Sequence, residues 1–432
     1  MKTHRLALAL ALCTLGFSCT DKYTEELTVN APVYLTYEAL RTAVGPEPAR
    51  TLERPGKIYF KDNRIFIVEY LQGIHVIDVS DVSNPQNLVF IHIPGCVDLA
   101  IKDQSLYADS YTDLVTIDVS EVARPKEIHR LTDVLPYKIP TPKETAYPRA
   151  EVLKDKGVVT GWELRREKHA VTPPKDLYSE YDYSDKAWPS FFLANAEGTT
   201  AGSGSGSVGL GGSMARFGLY QDYLYVADES RLYLFDAATP ARPVALGIHP
   251  LANAIETMFI YDHHLFFGTP SGMLVYSLQV PLAPDYIGDF RHTTSCDPVV
   301  VQDGYAYITL RAGETCGGGV NRLDIVKISE DYKEYDLVSS YGMTAPQGLG
   351  VDGNKLFICD GPAGLKIYDA EDKTTLSSHL IATFPEIQAY DVIPLEGYLF
   401  LVAEEGFYLY DYSDYTNIRR LGYIPISPSN KE

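Results

Sequence analysis

Carboxylates recur at the ends of short apolar runs throughout this 432-residue chain. Asp98, Glu256, Asp297 and Asp391 open such runs, as do Lys57, Arg216 and Gln347. Glu69, Asp109, Asp228, Glu229, Asp360, Glu404 and Glu405 close others, as does Arg311. If successive runs pair as hairpins, the start of one lies beside the end of the next, and all these groups share one face. Eleven carboxylates against three bases would then crowd together, and like charges so placed need cations or hydrogen-bond donors to offset them. The chemistry suggested is binding of a hard cation such as Ca2+, which takes several carboxylate and carbonyl oxygens, or of a cationic ligand. The competing reading is that these carboxylates accept backbone N–H groups in turns, as aspartate does widely. No compact D-x-[DN]-x-[DN]-G loop decides between them. The ligand-face candidates are Asp98, Asp109, Arg216, Asp228, Glu256, Asp297, Arg311, Asp360, Asp391 and Glu404, with the metal left open and no catalytic residue assigned.

Other reactive groups narrow the field. Cys296 precedes the apolar run PVVVQ and Cys316 follows YAYITL, the next run. As hairpin partners these runs would bring the two sulfurs together, closing a loop of about 20 residues with a contribution of roughly 3 kcal/mol. Free thiols or a redox pair are the alternatives, the latter weakened by the absence of C-x-x-C. Cys96 and Cys359 are expected to be free and buried. His75 falls within a run and His263-His264 in a turn; no H-x-H or H-E-x-x-H spacing offers a transition-metal site. The tract GTTAGSGSGSVGLGGS (198–213) lacks the G-x-x-x-x-G-K-[ST] form and reads as a flexible connector rather than an anion cradle. Trp162, Trp188, Tyr178, Tyr181 and Tyr183 would stack on a sugar or peptide or pack against the body of the fold.

What must position these groups is a repeat. An apolar run ending in Asp, followed by Ser and then Pro, appears as GIHVIDVSDVSNP (73–85) and DLVTIDVSEVARP (113–125). It returns as RLYLFDAATPARP, MLVYSLQVPLAP, RLDIVKIS, GLKIYDA and GFYLYDYSD. The equivalent positions are Asp78, Asp118, Asp236, Ser277, Lys327, Asp369 and Asp411, at intervals of 40, 118, 41, 50, 42 and 42. A period near 41 is that of a four-stranded propeller blade. Polar turns such as Lys102-Asp103-Gln104 punctuate each unit, and proline falls between strands, where a missing donor does no harm. The interval of 50 holds an insertion, AGETCGGGVN (312–321). The interval of 118 holds a Pro-, Tyr- and Gly-rich excursion, 137–212, in which only GVVTGWELRR reads as a strand. The fold class is therefore all-β: a single seven-bladed β-propeller over 56–428, with six or eight blades as alternatives. Residues 32–43 are expected to close the ring against 419–426.

The chain's address is written at its start. Residues 1–18 carry Lys2 and Arg5 ahead of an apolar run, Leu6 to Leu15, too short to span a bilayer and suited to a secretory signal. Leu15-Gly16-Phe17-Ser18-Cys19 resembles a bacterial lipoprotein box, with Cys19 the lipidated N-terminus, and a box this loose is similar to those of Bacteroidota. Ordinary cleavage without lipid is the alternative. Residues 19–55 then serve as a polar tether and closing strand. The strand-Asp-Ser-Pro phrases resemble LVIVD repeats of bacterial surface propellers, over about residues 56–426; units four and five depart from the pattern at Ser277 and Lys327. That resemblance implies a propeller in the cell envelope and no particular reaction. A net charge of −20 argues against nucleic acid. Two functions remain: a non-enzymatic binding module for a glycan, peptide or envelope protein, or a metal-assisted hydrolase or lyase. The membrane is met only through the lipid, on the outer membrane facing the exterior, or the periplasm as the alternative.

Overall fold

Apolar runs of four to seven residues, each bounded by a polar turn, produce short antiparallel strands, of which the second and third of each blade are largely buried and the outer ones half-exposed. The computed structural model describes residues 24–170, 207–251, 255–292, 298–313 and 319–426. The chain divides into two units, one of residues 1–37 and 138–182, the other of residues 38–137 and 183–432.

The larger unit is the expected seven-bladed propeller. The innermost strands are Pro55–Lys61, Leu99–Lys102, Phe217–Tyr220, Thr257–Tyr261, Val299–Gln302, Leu349–Asp352 and Ala389–Leu395. Each is followed in order by three antiparallel partners, ending at outer strands such as Gln86–His92 and Arg419–Pro425. The repeat's aspartate is the last residue of the third strand, and its role is local. Asp78, Asp118, Asp236, Asp369 and Asp411 each accept the amide two residues on through Oδ1, at 2.8–3.0 Å. Ser277 does the same through its hydroxyl. The residue after this position is buried in all seven blades, and its amide bonds to the carbonyl of the turn between the first two strands, as Val79 does to Asn63 and Tyr412 to Gly397. Where lysine replaces aspartate at position 327, Ser329 Oγ accepts the amides of Lys333 and Glu334 instead.

A second regularity went unnoticed in the sequence. In every blade the pairing of third and outer strands slips between the two residues that precede the turn position. The extra outer-strand residues are Leu88, Ile128, Leu246, Ile287, Val338, Ile381 and Leu421, all aliphatic. A bulge adds twist and bends the strand, so this one sets the same curvature seven times. The second strands carry an aromatic third residue: Phe66, Tyr107, Tyr225, Phe266, Tyr307, Phe357 and Phe400, all buried. Tyr107 Oη donates to the carbonyl of Pro240, and Tyr225 Oη to that of Pro281, each on the next blade at 2.8 Å. Proline and tyrosine are thus coupled as a docking pair between neighbours.

Ring closure departs from expectation. Of residues 32–43, expected to pair with 419–426, 32–35 belong to a ribbon of the smaller unit and 37–42 to a helix; within the propeller it is Leu52 that bridges Ile426, in parallel. Gly45–Pro48 pairs with the outer edge of the first blade, which leaves that edge covered. Residues 32–35 are drawn elsewhere because Thr24–Leu35 forms a ribbon with Val158–Ala170 in the smaller unit, so the supposed tether is structured from Thr24 onward. Within that unit Asn30 is buried, and its Nδ2 donates to the carbonyls of Glu144 and Tyr147. Trp162 Nε1 donates to the Pro140 carbonyl, so that indole serves packing; Trp188, Tyr178, Tyr181 and Tyr183 lie outside the described residues. Six residues, Tyr37–Thr42, form a helix whose Arg41, with Arg130, holds the buried Asp113 of the second blade.

The docking pair can be tested by replacing Tyr225. The phenylalanine variant should lose about 1 kcal/mol, the worth of one hydrogen bond, and the alanine variant about 3 kcal/mol or more. Urea unfolding of both distinguishes hydroxyl from ring.

Candidate functional site

At the end of the propeller where the innermost strands begin, some of the sequence candidates take part in a stitched belt of hydrogen bonds between blades. Asp98 is buried, with Lys57 Nζ at 2.8 Å from its Oδ2. The same oxygen accepts the amides of Arg216 and Phe217, while Oδ1 accepts that of Leu99. One carboxylate therefore ties the first, second and third blades together. Arg216 continues the belt, its Nε donating to the Glu256 carbonyl at 2.9 Å. Thr309 Oγ1 donates to the Gln347 carbonyl, and the Gly348 amide to the Tyr390 carbonyl, linking fifth to sixth and sixth to seventh blades.

The residues that end second strands act within their own blades. Asp109 Oδ1 accepts the amides of Val97 and Asp98. Asp360, fully buried, accepts those of Thr344 and Ala345 and pairs with Lys366. Glu69 accepts the amides of Glu53 and Arg54 and faces His75 Nε2 at 3.2 Å. Glu405 accepts the Gln388 amide. In each case the amides belong to the segment leading into the blade's first strand, so the carboxylate fastens the hairpin mouth. Asp228 Oδ1 accepts the neighbouring Glu229 amide. The Glu404 amide donates to the Gln388 carbonyl. Arg311 follows the second strand of the fifth blade. Asp297 and the Cys296–Cys316 pair lie outside the described residues, as does Cys19. Cys96 and Cys359 are free and buried, as expected, and burial pushes both thiols up.

Desolvation dominates the electrostatics here. It raises Asp109 to about 6, against the pull of its two amides, and lowers Lys57, which Asp98 partly restores. Asp391 is the extreme case. It is 2% exposed, and burial lifts it to about 7 against the hydrogen bonds of Val392 and Ser213. Among the described residues no three of His, Cys, Asp and Glu are grouped so as to hold a metal ion.

The axis itself is occupied by the chain, which sequence reasoning did not foresee. The end of the Gly/Ser tract, read as flexible, runs as an ordered segment along the channel. Ser207 Oγ accepts Lys61 Nζ, and its amide donates to Asp103. Val208 bridges Lys102, and Leu210–Gly211 pairs with Tyr59 and Phe60 of the first blade. The Gly212 amide donates to the Ile58 carbonyl, and Ser213 reaches Asp391 and Leu349. The tract's glycines now have a reason. A Cβ on Gly209 would stand 2.3 Å from the Tyr59 ring, and one on Gly212 would stand 2.0 Å from Asp391 Oδ2. Only a chain without side chains fits so close to the wall. The signal was the spacing of Gly209, Gly211 and Gly212 between larger residues, hidden in what looked like a linker.

The profile of the LVIVD repeat family matches residues 211–248, which span the end of the channel segment and most of the third blade. No curated protein matches the sequence. Solved structures share the fold at low identity. The periplasmic gluconolactonase of Pseudomonas aeruginosa is 9% identical, with 89% of this chain and 97% of that one covered and a TM-score of 0.51. The computationally designed Ika8 protein is 10% identical, covering 87% and 91%, with a TM-score of 0.48. PorZ of Porphyromonas gingivalis, a surface component of the type-IX secretion system, is 12% identical, covering 88% of this chain and 39% of its own, with a TM-score of 0.46. At these identities the likeness extends to the fold.

The belt makes a clear forecast. Lys57→Ala leaves Asp98 buried without its cation and should cost about 3 kcal/mol. The double variant Lys57→Ala/Asp98→Asn should recover part of that loss in urea unfolding.

Proposed function

We propose that this chain is a non-enzymatic, envelope-anchored binding propeller whose ligand is a glycan, a peptide or another envelope protein. The observation that carries this reading is the use made of the mouth carboxylates. Asp98, Asp109 and Asp360 spend their oxygens on backbone amides and on Lys57 or Lys366, and residues 207–213 run along the first blade's inner strand at the axis. Such a face is built for rigidity, which suits a scaffold presenting a surface for recognition. The LVIVD match and the lipoprotein-like start at Cys19 support placement on the outer membrane, held by lipid alone and facing outward. The rival reading, a metal-assisted hydrolase or lyase using Asp98, Glu256, Asp297 and Asp391 with Ca2+, would need Asp98 to exchange Lys57 and its three backbone amides for an ion.

Two measurements test this. Millimolar Ca2+ added to metal-free protein should leave the melting temperature within about 1 °C. A rise of several degrees that vanishes in Asp98→Asn would favour the metal-dependent reading instead. In the native host, Cys19→Ala should release the protein from the outer-membrane fraction; retention of the variant there would remove the lipid anchor from the proposal.

A further inference from the structure

The turn Gly212–Ser213 is where the channel segment meets the seventh blade, and the contact is unbalanced. Ser213 Oγ accepts the Leu349 amide at 2.9 Å, so its hydroxyl hydrogen is directed at Asp391 Oδ1, 3.1 Å away. Oδ1 also accepts the Val392 amide at 3.0 Å. Oδ2 is buried and has no hydrogen-bond partner. It faces Gly212, where even a methyl group would overlap it, and a Cβ on Gly348 would lie 2.4 Å from Oδ1. The equivalent aspartate of the second blade, Asp98, has the same bond to its own strand but also a lysine and two further amides. The Ser213 backbone N–H also lies close enough to favour the anion, but Asp391 has no counterion bonded to it, and it is the one of the pair whose charge is less compensated.

We propose that Asp391 is a proton-dependent latch, protonated when the Gly212–Ser213 turn is seated against the seventh blade and ionised when the turn detaches. A buried carboxyl with one oxygen lacking donors is tolerated as the neutral acid and penalised as the anion. Detachment hydrates the carboxylate and frees the end of the channel segment. The remainder of that segment stays held by Lys61, Asp103 and the first blade's inner edge.

The neighbouring charges do not supply the missing counterion. From the first blade, Lys57 exerts a favourable pull, but its Nζ is bonded to Asp98. From the sixth, Cys359 is a buried thiol and Asp360 is already paired with Lys366. From the seventh, Tyr390, Glu404 and Glu405 add no positive charge. Arg216, which follows the turn, donates to the Glu256 carbonyl.

The sign follows from linkage. Asp391 stands at about 7 when seated and has an ordinary value of 3.8. The seated form therefore binds the extra proton between about pH 4 and 7. Its stabilisation is complete below about pH 4 and is lost as the pH rises through about 7, with no further change above. Opening should consequently be ~10- to 100-fold more favourable at pH 8 than at pH 5.

Hydrogen exchange on the full chain tests this, with rates corrected for the intrinsic effect of pH. In the wild type, the amides of Gly212, Leu349 and Val392 should show an opening constant that rises at least ~10-fold from pH 5 to pH 8. Those of Leu106 and Tyr107, in the core of the second blade, should not follow. The variant Asp391→Asn should make the turn amides insensitive to pH. Equal opening constants at the two pH values in the wild type would overturn the latch. So would a matching rise at Leu106 and Tyr107, which would mean global unfolding, or an Asn variant that keeps the wild-type slope. The wild-type series alone decides the question if the variant does not fold.

Discussion

Acceptance of backbone amides by buried carboxylates is the interaction on which this propeller depends. A ring of sheets needs each blade fixed to the next at the point where strand pairing ends, and the amides there have no ladder partner. An unpaired buried amide costs roughly 1–3 kcal/mol, so each such place requires an acceptor. Asp98, Asp109, Glu69, Asp360 and Glu405 provide it, and at the other end of the ring the repeat aspartates of five blades accept turn amides in the same way. The acidic composition of the chain is, in this light, largely a structural quantity. A face that seemed crowded with negative charge is a set of amide cradles, several closed by one lysine or histidine.

The same logic explains which parts of the fold were legible in the sequence. The position of Asp78 and its equivalents could be recognised because an Asx-type turn restricts the residue to a few types, and blade count followed from the spacing. The rejection of two extra blades in the interval of 118 rested on composition, and it holds. The aliphatic bulge residues from Leu88 to Leu421 were equally periodic. They escaped notice because a leucine in an outer strand carries no distinguishing chemistry until the register is known. The aromatic third residue of each second strand was obscured in the same way by alternation of Phe and Tyr.

The candidate site was half visible. That Asp98, Arg216, Glu256 and Asp391 gather at one end of the ring could be reasoned from topology alone. What they do there could not, because a carboxylate bound to amides and one bound to a metal have the same sequence appearance. The channel segment was misread for a different reason. Glycine permits both disorder and tight approach, and Gly209 and Gly212 use the second property. Residues 32–43 were assigned to ring closure on position, whereas the alternation that continues through Thr24–Leu35 matches Val158–Ala170, a pairing separated by more than a hundred residues and therefore invisible to local inspection.

The channel segment also constrains the history of the molecule. Ser207 sits by the turn of the second blade at one end of the axis, and Ser213 by the seventh blade at the other. The chain passes lengthwise through the ring before it builds the third blade. A finished ring could take up such a segment only by having it threaded through the channel from one end to the other. Synthesis from the N-terminus avoids the difficulty: two blades and their axial strand emerge first, and the remaining five wrap around a spindle already in place.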